Sequence, residues 1–318
     1  MCITFLYTNP DPALEGDQPR LVLINNRDEK TNRRTGPLQW KNGILASFDE
    51  SPGPGRQGGT WLAIDKRGRV ATLMFQQQDQ RQIRMSPVTA RRAKGHVILD
   101  FLGQTVLPAD EFAHSAISRY KSKTTGFACV LVDVVSPPTA EERQVVHFRC
   151  NASGSEVVES LPSESEYSVF GITPREKPTK HATAGLREFR SVVESFLISN
   201  DLARRKDWNL KAQLPDEEDS YRKSISSVYL PVSDHRPHAT ICQSVIVVSG
   251  SGQATFSQRK IKHPTRWALA ADTQAPAGDC LFSEEVVTFK VEPNFDALSM
   301  PHSPCQFNRK TKVRIGGR

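Results

Sequence analysis

The sequence predicts an α+β fold in which antiparallel sheets are layered with helices. Apolar, β-prone runs occur in pairs separated by short polar turns, which is typical of antiparallel strands. A few long stretches with helical apolar spacing lie between these pairs, and no internal repeat or strong linker divides the 318 residues. We therefore expect one domain over residues 1–300, followed by a basic, disordered tail over residues 301–318.

The predicted strands follow one another along the chain as antiparallel pairs. Residues 2–7 (CITFLY) and 20–26 (RLVLINN) form the first pair, and residues 60–75 form a hairpin around a Lys-Arg-Gly turn. The later predicted strands lie at 127–135, 143–150 and 167–173, in a hairpin over 242–261 with Gly-Ser-Gly near its tip, and at 285–292.

Two stretches carry the apolar spacing of helices. The segment after Pro87 predicts a helix that ends near Gly103. Residues 185–206 predict a second helix with one apolar stripe, which we expect to face the core. That stripe consists of Leu186, Phe189, Val193, Phe196 and Leu197. Residues 206–226 are polar and predict neither a helix nor a strand.

The composition is that of a globular protein, with 37% hydrophobic and 24% charged residues. A net charge of +7 favours anionic ligands or surfaces. Five basic residues lie in the final stretch, RKTKVRIGGR (309–318), which is either a solvated tail or a weak contact with a membrane surface. Because this stretch has no interleaved aromatic residues, we expect no binding of nucleic acid.

The six cysteines are widely scattered, without a CxxC pair or the spacing of metal ligands. We therefore expect a reduced, intracellular protein without a metal site. Cys129, Cys150 and Cys242 lie in or beside apolar runs and should pack as small hydrophobic residues. We find no signal peptide and no apolar run of membrane-spanning length, so we expect a soluble protein that is at most peripheral to a membrane.

Cys2 and the pair Arg27–Asp28 form the candidate reactive centre. Removal of Met1 would leave the Cys2 thiol next to its own α-amine, which has a pKa of ~8 and can act as its base. Antiparallel pairing of the first two strands places Cys2 beside Arg27, because the start of one strand meets the end of the other. Arg27 would then stabilise a thiolate, and Asp28 would bind the α-ammonium or orient Arg27. Alternatively, Arg27, Asp28 and Glu29 form a buried ion-pair network that only fixes the loop. The residue spacing favours neither the reactive nor this structural role.

Three motifs in order resemble the NRDE-motif family, whose animal members are called transport and Golgi organisation protein 2 homologues. They are MCI at 1–3, NNRDE at 25–29 and GGTWLAI at 58–64, and weaker similarity continues along most of the chain. The resemblance implies a four-layer αββα sandwich of antiparallel sheets, similar to N-terminal-nucleophile hydrolases. It also implies that Cys2, Arg27 and Asp28 match the nucleophile, arginine and aspartate of the cysteine amidases with that fold.

Two departures from the family pattern affect the expected chemistry. Where members often have Gly-Leu-Ser-Asn, this chain has Gly-Ile-Thr-Pro at 171–174, so Pro174 stands in place of the asparagine. Proline offers neither a side-chain donor nor an N–H to an oxyanion. Where members often have an arginine before the late hairpin, this chain has Ile241. Loss of one oxyanion donor costs on the order of 10²–10³ in rate. We therefore favour a binding or carrier role, with a cysteine amidase or thioesterase using Cys2 as the alternative and a scaffold for protein partners as a third possibility.

The resemblance also implies a cargo and a location. The family is associated with Golgi and endoplasmic-reticulum organisation, with lipid and acyl-CoA homeostasis, and with release of haem from membrane stores. We therefore expect a carrier of haem or of an acyl-CoA-like hydrophobic anion that requires no cofactor. Its expected location is the cytoplasm, with association with the Golgi, the endoplasmic reticulum or mitochondria.

The candidate ligand-binding residues are Asn26, Arg27, Gly59, Trp61, His235 and His238. Arg27 would pair with a haem propionate, and the glycines before Trp61 allow close approach of a ligand or of another backbone segment. Of these two roles for the glycines, a tightly packed loop is the more common. His235 and His238 lie in a polar loop before a strand, where either could ligate haem iron, although a structural or surface histidine is more common than a ligand.

Overall fold

The structure, a computed structural model, describes residues 2–9, 11, 16, 18–50, 58–75, 94–103, 107–120, 126–133, 144–150, 156–161, 167–171, 178–199, 238–261 and 282–292. The expected tail over 301–318, the stretch 206–226, Pro174 and His235 lie outside these residues. None of the helices within the described ranges is both long enough and apolar enough to span a membrane.

The described residues form thirteen strands and three helices. The strands are β1 (Cys2–Thr8), β2 (Pro19–Lys30), β3 (Thr35–Lys41), β4 (Ile44–Asp49), β5 (Leu62–Asp65), β6 (Val70–Phe75), β7 (Phe127–Asp133), β8 (Gln144–Cys150), β9 (Glu156–Leu161), β10 (Tyr167–Phe170), β11 (His238–Ser249), β12 (Gln253–Ile261) and β13 (Phe282–Lys290). The helices are α1 (His96–Gly103), α2 (Ala109–Tyr120) and α3 (Lys180–Ser199).

The strands form two antiparallel sheets. The six-stranded sheet has the order β10-β1-β2-β11-β12-β13, and the seven-stranded sheet has the order β3-β4-β5-β6-β7-β8-β9. In the seven-stranded sheet each strand pairs with its neighbour in the sequence, whereas in the six-stranded sheet β2 pairs with β11, more than two hundred residues later. Among the described strands, the pairing of the partners most distant in the sequence is therefore in the six-stranded sheet.

Three apolar clusters define four layers. One lies between the two sheets and includes Leu23, Ile64 and Ile246. The second lies between the seven-stranded sheet and helices α1 and α2. The third lies between the six-stranded sheet and α3, where Phe189 and Val193 are fully buried against β1 and β2. The predicted α+β fold, a four-layer αββα sandwich of antiparallel sheets, is confirmed.

Most of the predicted elements are confirmed, but several boundaries differ. The second strand was expected to end at residue 26 and continues to Lys30, so the NNRDE motif lies within a strand. The helix expected over 185–206 begins five residues earlier, at Lys180, because Thr179 accepts hydrogen bonds from the backbone of its first turn. Helix α2 and strands β3, β4 and β9 were not predicted from the sequence.

Candidate functional site

A row of five residues crosses the six-stranded sheet at the end where β1 begins. Strand register pairs Cys2 with Arg27, Arg27 with Cys242, Cys242 with Lys260, and Lys260 with Ser283. We call this set the Arg27 row. Cys2 and Cys242 contact the apolar cluster between the sheets, so the row faces the inside of the sandwich. The sequence prediction that Cys2 and Arg27 are neighbours is confirmed.

The next row on the same face is also polar. It consists of Thr4, Asn25, Ser244, Gln258 and Glu285. The row after it is apolar and consists of Leu6, Leu23, Ile246, Phe256 and Val287. One end of the inter-sheet space therefore carries charge and hydrogen-bonding groups, and the remainder is an apolar core.

A β-bulge in β11 brings Cys242 into the Arg27 row. The pairing of β11 with β2 shifts register between Thr240 and Cys242, so that Cys242, and not Ile241, lies opposite Arg27. Sequence reasoning assigned Cys242 to the apolar core and missed this position, because a bulge cannot be read from local alternation. The available signal was the i,i+2 spacing of Cys242 and Ser244 before the apolar run over 245–248.

Arg27 is buried, and no carboxylate of the described residues forms an ion pair with it; the charge of Glu29 opposes only in part the lowering of the Arg27 pKa by burial. Its side chain is 4% exposed, and its guanidinium carbon lies 3.8 Å from the centre of the Trp61 ring. Within the part of the chain that the structure describes, Nη1 of Arg27 and Nε1 of Trp61 are both buried and have no hydrogen-bond partner. Two N–H donors on stacked groups are thus available to an acceptor that is not part of the described protein.

Neither flanking thiol supplies the missing negative charge. Burial raises the pKa of Cys2, and the positive charges of the amino terminus and of Arg27 act in the opposite direction without outweighing it. Burial likewise raises the pKa of Cys242 to about 11, despite a contact of 3.6 Å between its sulfur and the hydroxyl of Ser244. Both thiols are therefore neutral at neutral pH. The expected lowering of the Cys2 pKa by Arg27 is present in direction but smaller than the effect of burial.

Asp28 lies on the opposite face of β2 from Arg27, because successive side chains of a strand alternate. The hydroxyl of Thr240 donates a hydrogen bond of 2.5 Å to Oδ1 of Asp28. Burial raises the pKa of Asp28 to about 7, although the positive amino terminus and the Thr240 bond act against this shift. The structure therefore brings Cys2 and Arg27 together on one face and places Asp28 on the other. Asn26 also lies on that other face, where it accepts a hydrogen bond of 3.4 Å from Gln243.

The ion-pair network considered as the structural alternative forms without Arg27. Glu29 accepts a hydrogen bond of 2.7 Å from Nη1 of Arg33, and Nη2 of Arg33 pairs with Asp49 at 2.5 Å. The carboxylate of Glu29 is thus engaged by Arg33, and among the described residues Arg27 takes part in no ion pair. Among the described residues Arg27 is therefore outside the hydrogen-bonded part of this network, although the charge of Glu29 opposes the lowering of the Arg27 pKa by burial.

Polar contacts hold the two sheets together beside the Arg27 row. Nδ2 of Asn25 donates to the hydroxyl of Thr4 at 2.9 Å and approaches that of Thr72, on the other sheet, at 3.4 Å. A second link runs from Ser47 to the side-chain carbonyl of Gln258, whose amide group donates to Ser244 at 3.1 Å. These buried bonds fix the spacing of the sheets at the site.

The glycine pair before Trp61 permits a close backbone contact. A Cβ atom added to Gly59 would lie 2.5 Å from backbone atoms of Gly95, at the start of α1. The hydroxyl of Thr60 donates to backbone carbonyls of Ser47 and Leu62 at 2.8 and 3.0 Å, respectively. These contacts hold Trp61 against Arg27. The glycines thus have the packing role that the sequence allowed, and ligand contact by Gly59 stays a prediction.

His238 and His147 lie on different sheets of the sandwich. The backbone of His238 pairs with Lys30 at the start of β11, three residues beyond Arg27 along β2, and its side chain is not described. His147 is buried in β8, beside Phe170. In the described segments, no three His, Cys, Asp or Glu side chains form a group suited to a metal ion. A haem-ligating role for His235 or His238 stays a prediction.

The fold and the site define an αββα sandwich with a buried arginine, unpaired among the described residues, between two neutral thiols. The chain belongs to the Transport and Golgi organisation 2 family, whose model matches residues 1–263. The bovine Transport and Golgi organization protein 2 homolog is 28% identical over 288 residues, covering 84% of this chain and 96% of the relative. The human homolog is 27% identical over 278 residues, with coverages of 82% and 93%. The Drosophila melanogaster protein is 22% identical over 285 residues, with coverages of 80% and 90%.

Solved structures with some similarity include two hydrolases. A Caenorhabditis elegans N-acylethanolamine-hydrolyzing acid amidase ortholog has a TM-score of 0.43 at 9% identity, covering 79% of this chain and 93% of its own. The C2A mutant of conjugated bile acid hydrolase from Clostridium perfringens has a TM-score of 0.37 at 7% identity, with coverages of 92% and 98%. Similarity at this level carries no conclusion about activity.

Proposed function

We propose that this chain is an intracellular binding or carrier protein for a hydrophobic anion such as haem or an acyl-CoA. The observation that carries this proposal is the buried guanidinium of Arg27, which forms no ion pair among the described residues and whose Nη1 has no hydrogen-bond partner there. Burying an unpaired charge costs several kcal/mol, so a protein retains one where a ligand supplies the opposite charge. The carrier would act in haem or lipid trafficking and so support Golgi and endoplasmic-reticulum organisation.

The charge state of the site favours binding over cleavage. A nucleophilic cysteine reacts as the thiolate, whereas burial raises the pKa of the Cys2 thiol. The bulged residue Ile241 and the neighbouring Cys242 provide no cation at the place where a family arginine was expected. The first feature lowers the fraction of reactive thiolate, and the second removes a cation that could stabilise a tetrahedral oxyanion.

The family name supports the cellular part of the proposal. Relatives from cattle, humans and flies carry the name Transport and Golgi organization, and alignments with them cover at least 80% of this chain. A carrier that supplies lipid or haem to membranes would connect a ligand-binding site with Golgi organisation. Haem would be the cargo of such a carrier, and the proposal requires no resident cofactor.

Equilibrium titration tests the proposal. Purified protein would be titrated with haem and with palmitoyl-CoA, and transfer of each from liposomes would be measured in parallel. We expect saturable binding of at least one of these ligands, and we expect Arg27→Gln to weaken that binding at least tenfold. The control is Arg190→Gln, because Arg190 is an exposed residue of α3 outside the inter-sheet space, where it contacts Glu194 at 2.8 Å and the Tyr167 ring at 5.0 Å. Absence of saturable binding of either ligand would contradict the carrier function.

The placement of Cys2 directly opposite Arg27 favours a second candidate function, that of a cysteine amidase or thioesterase. This function requires removal of Met1, which intact-mass measurement detects. If Met1 is absent, a thiol-directed activity probe should label Cys2 selectively, and Arg27→Ala should slow that labelling. Retained Met1 would exclude the α-amine as base and would leave the carrier function as the remaining candidate of the two.

A further inference from the structure

We infer that the charged group bound at Arg27 is a single carboxylate on an apolar ligand, and not a phosphate. This inference rests on the proposed function and specifies its ligand class. A fatty acid and a propionate of haem share this chemistry. A coenzyme A ester does not, because its negative charges are phosphates at the end away from the acyl chain.

The first step is the charge available in the Arg27 row. Lys260 is the other cation of the row, and its ammonium pairs with Glu285 at 2.7 Å and donates to the backbone carbonyl of Gly36 at 2.6 Å. Among the described residues, this leaves Arg27 as the cation of the row that lacks an acidic partner. Among its side chains the row therefore offers one cation that no carboxylate contacts, namely Arg27.

The second step is charge matching in a buried place. A carboxylate carries one negative charge and balances the guanidinium of Arg27. A phosphate monoester carries a charge of about −1.5 to −2 near neutral pH. It would leave part of that charge unpaired within the sandwich, and uncompensated burial of charge is costly. Charge balance thus favours the carboxylate.

The third step is the number and position of the donors. Nη1 of Arg27 and Nε1 of Trp61 are both buried and without partners among the described residues, and their groups are stacked at 3.8 Å. The two oxygens of a carboxylate can accept from both groups, since charge-assisted bonds to guanidinium are strong and directional. Trp61 would thereby contribute a hydrogen bond in addition to its contact with the guanidinium.

The fourth step concerns the surroundings of that carboxylate. Cys2, Cys242 and Trp61 all belong to or pack against the apolar cluster between the sheets. Neutral thiols are weakly polar and polarisable, and they suit hydrocarbon or an aromatic macrocycle better than a hydrated phosphate. The ligand therefore has an apolar body directly next to its acid group.

Pairs of acids and esters test the inference with the full-length protein. Palmitate and haem would be compared with methyl palmitate and haem dimethyl ester, and palmitoyl-CoA would be included as the phosphate-bearing ligand. We expect each acid to bind at least tenfold more tightly than its ester. Arg27→Gln should remove this difference, leave the esters unaffected, and leave any binding of palmitoyl-CoA unchanged. Trp61→Phe, which removes the Nε1 donor and keeps an aromatic ring, should weaken the acids about threefold to tenfold.

The outcomes separate this inference from the proposed function. If acids and esters bind equally, or if palmitoyl-CoA alone binds and loses affinity in Arg27→Gln, the carboxylate inference is wrong and the carrier function stands. If none of the five ligands binds in a saturable manner, the carrier function fails as well. Circular dichroism of each variant would confirm that the sandwich is intact, so that lost affinity is not lost folding.

Discussion

Replacing Arg27 with methionine should increase the free energy of unfolding of the ligand-free protein. Arg27 is 4% exposed and has no ion pair among the described residues, so folding removes its charge from water and no carboxylate contact offsets the lost hydration. The effective penalty for such a group is several kcal/mol, and the contact with Trp61 at 3.8 Å returns about 0.5–2 kcal/mol. Methionine fills much of the same space without charge. We expect a net gain of about 1–3 kcal/mol.

Urea denaturation monitored by circular dichroism measures this change, and Arg69→Met is the matched control. Arg69 is buried to a similar degree but pairs with Asp65 at 3.0 Å and donates to the backbone carbonyls of Phe101 and Leu102 at the end of α1. Its replacement leaves Asp65 with one cation fewer and should cost about 3–5 kcal/mol. The two substitutions are chemically identical and should act in opposite directions.

A loss of stability in Arg27→Met comparable to that of Arg69→Met would contradict the predicted gain in stability. Such a loss would mean that Arg27 is paired in the folded protein and that its charge is not available to a ligand. The comparison requires equal denaturant slopes for the two variants, since a changed slope indicates a changed unfolded state or loss of two-state behaviour.

Three further predictions concern Asp28, Gly59 and Cys2. Because burial raises the pKa of Asp28 to about 7, the folded protein holds a proton that the unfolded chain releases, so stability falls as pH rises from about 4 to 7. The advantage of Asp28→Asn over wild type should grow by roughly 1–3 kcal/mol between pH 5 and pH 8, and a constant difference would contradict it. Gly59→Ala should destabilise the protein by about 2–3 kcal/mol in thermal denaturation, because the added Cβ would meet the backbone of Gly95 at 2.5 Å. The control is Gly103→Ala, which should be neutral or slightly stabilising because there is open space around Gly103. Alkylation of Cys2 by iodoacetamide, followed by mass spectrometry of the first peptide, should keep rising above pH 9, because burial raises its pKa; a plateau near pH 7 would instead indicate an activated nucleophile.

Local patterns in the sequence were sufficient for most of the fold. Paired apolar runs predicted the hairpins, and the stripe including Phe189 and Val193 predicted the face of α3 that packs on the six-stranded sheet. The order of the three motifs was sufficient to predict the family and, through it, the four-layer architecture. Strand β3 was missed because four of its seven residues are exposed and it contains Gly36 and Pro37, so local patterning gives a weak signal for this edge strand.

The extension of β2 through the NNRDE motif could not be predicted from its own residues. A run of amides and charged groups normally marks the end of a strand, and the predicted boundary at residue 26 followed that rule. In this fold Asn25 bonds to Thr4 and Thr72, and Arg27 stacks on Trp61. The surrounding sheets thus provide the partners that allow a polar sequence to remain a buried strand.

The sequence by itself determined the family, the layered α+β architecture and the pairing of Cys2 with Arg27, because adjacent strands and ordered motifs are local information. The tertiary structure alone decided that Cys242 shares their row, that Asp28 faces away from them, and that Glu29 is engaged by Arg33. The physical reason is that charge compensation depends on every group within a few ångströms, and in this fold those groups come from β11, from the turn after β2 and from the facing sheet. Whether an arginine is paired or available to a ligand is therefore a property of the folded molecule.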